Sequence, residues 1–179
     1  MTQIPFRLAI LKRLVAHLEL LHEGTNPAYT FDLRDKVFRG RHVLGEEAAD
    51  FQDLPVVSIL ESPRPDLSIF TGEWDSVRKD YWTLLIQGID KDDKLAPTDR
   101  LYHLTAQIEM HLSRLIDTHP QKGTPLYPTE HLLGGLISGL EIAAPIVRPS
   151  EKGVSARAFF YLPLRLQLAV DLSKPYASV

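Results

Sequence analysis

Near the start of the chain, apolar residues recur at three- and four-residue steps: Ile4, Leu8, Leu11, Val15, Leu18 and Leu21. Helical geometry puts such positions on one face, which predicts an amphipathic helix over about residues 3–22. Thr2 would cap it, and Pro5 fits a first turn where its missing N–H costs nothing. Gly24 and Asn26-Pro27 end it. The period then falls to two. Tyr29, Phe31 and Leu33 alternate, Arg34-Asp35-Lys36 can turn, and Val37-Phe38 resumes, predicting a hairpin with an exposed charged tip. Gly45 to Asp50 reads as a loop with one helical turn. The β-branched run from Pro55 to Leu60 suits a sheet centre. Pro63 and Pro65 make the next stretch a connection. From Arg78 to Asp90, Trp82, Leu84 and Ile86 point one way, and Tyr81, Thr83 and Leu85 the other, as in a strand.

A second helix is expected from Asp99, with Leu101, Leu104, Ile108, Leu112 and Leu115 as its sheet-facing stripe. A Pro/Gly-rich link over 119–128 precedes a C-terminal hairpin within one domain, 1–179. Gly134, Gly135 and Gly139 argue against a helix over 131–147. Leu136, Leu140, Ile142, Ala144 and Ile146 share one parity, so a strand is expected there. The last strand is the clearest: Phe160, Leu162, Leu164, Leu166, Leu168, Val170 and Leu172 alternate with Tyr161, Arg165, Gln167 and Asp171. Pro163 suits an edge or a bulge. The fold class is α+β: a single mixed, mainly antiparallel sheet packed by two amphipathic helices, with protruding β-hairpins.

Composition narrows the function more by exclusion than by pointing. Among 179 residues, 44% are hydrophobic and 24% charged, as in ordinary globular domains. A net charge of −3 with mixed signs gives no general field for DNA or an anionic membrane. The absence of cysteine removes disulfides, thiolate zinc sites and cysteine nucleophiles. Charges interrupt the apolar N-terminus, so neither a signal-peptide core nor a membrane span is expected.

The helix TDRLYHLTAQIEMHLSRLIDTH holds an acid-and-histidine set that invites a metal reading. His103 falls opposite the stripe, and His111 lies about 80° around from it and about 12 Å further along the axis. Zinc–nitrogen bonds are about 2 Å long, so these two cannot share an ion. Both are expected at solvent or at an interface. His17 and His22, five apart, are no better placed. No GxxxxGK, GxGxxG or GxSxG occurs. No catalytic residue, cofactor or metal is expected.

In element order and in several segments the chain resembles the tail terminator (tail completion) proteins of long-tailed bacteriophages. The segments are IPFRLAILKRLVAHL, LPVVSILE, YWTLLIQGID, the helix DRLYHLTAQIEMHLSRLI with its D-x-x-x-x-L-x-x-x-I-E pattern, and FFYLPLRLQLAVDL. The resemblance implies a homo-hexameric ring that caps the tail tube, stops its polymerisation and offers the head-joining surface. It also implies a place at the head-proximal end of the virion tail after assembly in the host cytoplasm. Its partners would be further copies of the chain, the major tail tube protein and a head-completion or connector protein. No membrane and no sequence-specific nucleic acid is expected. Ring closure needs two different patches that meet. The candidates are Arg34, Lys36, Arg39 and Arg41 on the first hairpin and Arg157, Phe159 and Tyr161 on the last. The alternative is an enzyme or small-ligand module whose site is dispersed between sheet and helices.

Overall fold

The two longest alternating runs become the two longest strands of the computed structural model, which describes residues 3–45, 51–62, 70–71 and 74–177. Strands β4 (Val77–Ile89) and β7 (Phe159–Asp171) pair antiparallel over their full length, from Val77 opposite Asp171 to Ile89 opposite Phe159. On the far side of β4 lies β3 (Val56–Glu61), antiparallel, followed by β2 (Val37–Arg39), parallel to it. The other edge of β7 is shared end to end by β5 (Gly139–Ile142) and β6 (Ile146–Arg148). A ribbon of β1 (Ile4–Pro5) and β8 (Tyr176–Ala177) joins the two ends of the described chain. The fold is α+β, with a mixed, mainly antiparallel sheet.

Pro163 sits within β7 between two neighbours, where a missing N–H should break a ladder. Its carbonyl accepts the Ala143 N–H at 3.0 Å. In an antiparallel strand a residue's N and O point to the same side, so the hydrogen-free nitrogen faces the break between β5 and β6. The expected irregularity falls on the neighbouring strand instead.

Helices α1 (Phe6–Leu18) and α2 (Asp99–Ser113) cover one face of the sheet. Leu101, Leu104, Ile108, Leu112 and Leu115 of the second stripe are all buried, as their spacing requires. The first stripe differs from expectation. Helix α1 begins only after Pro5, which belongs to β1, and it ends at Leu18. Ile10, Leu14 and Leu18 face the core, while Leu8 turns partly to solvent. Thr2 lies outside the described residues.

Two acids at the ends of one strand fasten these helices. Asp80 and Asp90 are buried on the same face of β4 as Trp82, Leu84 and Ile86. Asp80 bonds Arg7 in the first turn of α1, and Asp90 Oδ2 accepts Arg100 Nε–H of α2 at 2.9 Å. Burying a carboxylate is tolerable here because each has a guanidinium partner that reaches water.

Two expected elements are different. The segment 29–44 is not a hairpin. Tyr29, Phe31 and Leu33 are buried as their alternation suggests, and the chain turns at Asp35 (φ 59°). The far arm then pairs with β3 in parallel instead of returning along the near arm. Alternation fixed which side chains are buried, not which backbone pairs. The strand expected over 131–147 begins only at Gly139. Before it stands a single turn, α3 (Leu132–Gly135), that runs left-handed, with φ of 50°, 57°, 72° and 82°. Gly134 and Gly135 accept that conformation freely, whereas a leucine there costs roughly 1–2 kcal/mol. Leu133 is held by burial in the main core.

Candidate functional site

Among the described residues, the second face of the sheet carries no helix and is covered at one end. There Val56, Ile89 and Phe159 form a small core with Val43, Phe51 and Leu54, flanked by Phe38, Leu44, Val154 and Tyr161. Two buried polar side chains hold the covering loop. Ser58 Oγ–H donates to the Arg41 carbonyl at 2.5 Å, and Gln87 Oε1 accepts the Val43 N–H at 3.2 Å. This pair sits directly across the β3–β4 ladder. Gly45 N–H then donates to Val154 O at 2.7 Å, joining this loop to the β6–β7 turn. Beyond the cover, Tyr81, Thr83, Arg165 and Ala169 are exposed. A groove of about 870 Å³ runs between, floored by Leu60, Leu85, Tyr161 and Pro163 and walled by His42 and Leu44.

The seven interface candidates separate on this frame. Arg41 is exposed at the covered end, its guanidinium 4.9 Å from the Phe51 ring, and Tyr161 is half-buried beside the same cluster. Arg39 is exposed at the end of β2, and Arg157 is half-buried. Lys36 bonds Asp53 at 2.9 Å, so much of its charge is matched within the chain. Arg34 lies elsewhere, lining a cleft of about 620 Å³ with His22 and Tyr29. Its guanidinium is held by Asp32 at 2.5 Å, and this hydrogen-bonded ion pair pulls the Asp32 carboxyl well below its usual range. Phe159 is a correction: at 2% exposure it is core, because the loop closes over that end of the face.

A second correction concerns the histidines. His103 is exposed as expected, but His111 is fully buried against His17 of α1. The two rings stack with centroids 4.2 Å apart and planes 14° from parallel. His17 Nε2 donates to the His111 carbonyl at 3.0 Å, and His111 Nε2 to the His17 carbonyl at 2.6 Å. Carbonyl oxygens only accept, so both rings carry hydrogen on Nε2. Tyr29 O–H donates to His111 Nδ1 at 2.8 Å. His17 Nδ1 faces Glu130 Oε2 at 3.5 Å, and Glu130 Oε1 bonds Arg114 at 2.5 Å. Burial pushes both imidazoles down to about 4, the second helped by the charge of the first. Each histidine lies in the last turn of its helix, where carbonyls lack helical partners.

The helical wheel carried this signal. His17 is one heptad past Ile10 and His111 one heptad past Leu104, a displacement of only about 20° from a core position. The pairing itself was not legible, since the partners are 94 residues apart.

Both Nε2 atoms are thus engaged by backbone carbonyls and His111 Nδ1 by Tyr29. Among the described residues, no group of three or more His, Asp or Glu is placed to hold an ion. No helix among them is long and apolar enough to cross a membrane. No protein-family model matches the chain, and no curated protein matches it.

Proposed function

We propose that this protein is a structural ring component of the tail-terminator type, capping a phage tail tube and presenting the surface that a head-completion protein engages. The observation that carries this reading is the half-covered second face of the sheet. Open sheet surface bearing Tyr81 (55% exposed) beside a groove floored by Leu60, Leu85 and Pro163 is the kind of patch another copy covers. Ring closure also needs a different patch on the neighbour. The β3–β4 connection supplies one, with Phe70 and Trp74 at 74% and 97% exposure. Docking these aromatics onto the open face of the next copy is a heterologous contact, and repetition through six copies closes the ring. The titratable groups support a binding role, since the buried acids and histidines are spent on holding helices.

Light scattering and negative-stain imaging of the purified chain test the proposal. Rings of six times the 20.2 kDa chain are expected, either free or on added tail tubes. A strict monomer at high concentration that also ignores tail tubes would remove it.

One observation favours a second reading. A groove of about 870 Å³ with mixed lining falls within the size range of small-molecule sites. That reading predicts that a soluble ligand stabilises the monomer, with Leu85→Arg abolishing the effect.

A further inference from the structure

The ends of α1 and α2 are held by two aromatic rings that each use one nitrogen to grip the other helix. His17 reaches the backbone of His111 and His111 the backbone of His17, and the rings lie face to face between them. We propose that this couple is an acid-released latch: proton uptake by the stacked pair parts the ends of α1 and α2 and loosens the helix layer from the sheet. The inference is independent of the ring reading.

The surroundings of the two Nδ1 atoms set the order of events. His111 Nδ1 already accepts from Tyr29 O–H, so protonating it forces that hydroxyl to turn away. His17 Nδ1 faces Glu130 Oε2, a buried oxygen without a hydrogen-bond partner, at 3.5 Å. The first proton therefore settles on His17, whose Nδ1–H then points at Glu130 Oε2. A small cavity of about 120 Å³ lined by Arg13, His17, Glu130 and Leu133 lets water reach this side. The second proton has no such welcome. It would place two cations 4.2 Å apart, with Arg114 of the α2 end already occupying Glu130 Oε1. Arg13 from α1 adds a further positive charge at the cavity wall. Tyr29 from the segment after α1, His111 and Arg114 from α2, and Glu130 from the segment before α3 are the groups that face the pair. One carboxylate cannot offset two imidazoliums and two guanidiniums, and separation into water relieves the repulsion.

The left-handed turn gives the latch something to release. Leu132 N–H bonds the Leu115 carbonyl just beyond α2 at 2.8 Å, and Leu133 is buried in the same core as α1. Two consecutive leucines at positive φ persist only while packing holds them. Parting the helix ends frees that turn to relax.

Hydrogen exchange of the full chain at about pH 7.5 and about pH 5 tests the latch, after correction for intrinsic rates. Peptides covering 15–21, 111–117 and 130–136 are expected to lose protection at least about tenfold at the lower pH, while β4 and β7 hold theirs. Equal protection at both values, or equal loss everywhere, would overturn the proposal. His17→Gln keeps a donor for the His111 carbonyl but cannot titrate, and should erase most of the difference. Because that variant could fold poorly, nitrogen chemical shifts of both imidazoles in the unaltered chain give a second test. Rings that titrate as free histidine does, near pH 6.5, without loss of protection would also overturn it.

Discussion

The two faces of the sheet are built from the same strands yet end differently. Under the helices, Leu162, Leu164, Leu166 and Leu168 of β7 meet the stripes of α1 and α2, and the cover is complete. On the reverse, Tyr161, Pro163, Arg165, Gln167 and Ala169 meet a loop at one end and solvent at the other. The first face spends its polar groups on fastening: Asp80, Asp90, His17 and His111 each tie a helix down. The second spends Ser58 and Gln87 on pinning one loop, then leaves the remainder open. A closed face stores stability, and a half-open one is available to a partner.

The sharpest way to break this comparison is to cut equivalent leucines on the two faces. Leu164 is 1% exposed beneath the helices, and Leu85 lies half-buried on the other side. Leu164→Ala should cost about 2–5 kcal/mol in urea unfolding, and Leu85→Ala under about 1 kcal/mol. Equal costs would mean that the second face is as closed as the first.

Acid should weaken the first face selectively. Burial lowers both latch histidines in the folded chain to about 4, whereas the unfolded chain takes up protons from about 6.5. Between those values the unfolded state binds more protons, so stability is full above pH 6.5 and falls as the pH drops toward 4. The loss is roughly 2–3 kcal/mol for one ring, less when the two titrate together. Thermal unfolding across that window measures it. His111→Gln should flatten the slope.

Gly88 marks where the first face has no space left. A Cβ there would stand 2.3 Å from the Phe160 ring and 3.1 Å from the Val56 carbonyl. Gly88→Ala therefore displaces Phe160 and should cost about 1–3 kcal/mol by overpacking. A neutral result in thermal unfolding would show that Phe160 has room to turn.

How much of this was legible depends on whether a feature is periodic or paired. Side-chain alternation placed β4 and β7, a β-branched run placed β3, and the three-four spacing placed both helices, because burial repeats with the geometry of each element. The same alternation at Tyr29, Phe31 and Leu33 misled about pairing, since a segment can bury one side without a neighbouring strand. The left-handed turn was half visible in Gly134-Gly135, but the two leucines before it are held by packing that no local pattern records. Among interface candidates, Tyr161 fell in the groove and Arg41 over the Phe51 ring at the covered end, while Phe159 disappeared beneath a loop fastened by Ser58 and Gln87. The histidine latch needed both long-range proximity and the helix wheel, and only the wheel was on the page.

The smallest change in stability should carry the largest change in assembly. Tyr81 stands exposed on β4, opposite Gln167 and clear of the covering loop. Nothing beneath it depends on its ring, so Tyr81→Lys should shift unfolding by no more than about 0.5 kcal/mol. In a ring whose neighbours cover this face, the same lysine would have to bury an ammonium without a partner, which strongly disfavours contact. If the proposed ring forms through this face, light scattering over a concentration series should find the variant monomeric under conditions where the unaltered chain assembles, with both unfolding at the same midpoint. If the lysine variant assembles as readily as the unaltered chain, the open half of the sheet is not where copies meet, and the Phe70 and Trp74 connection must seat elsewhere.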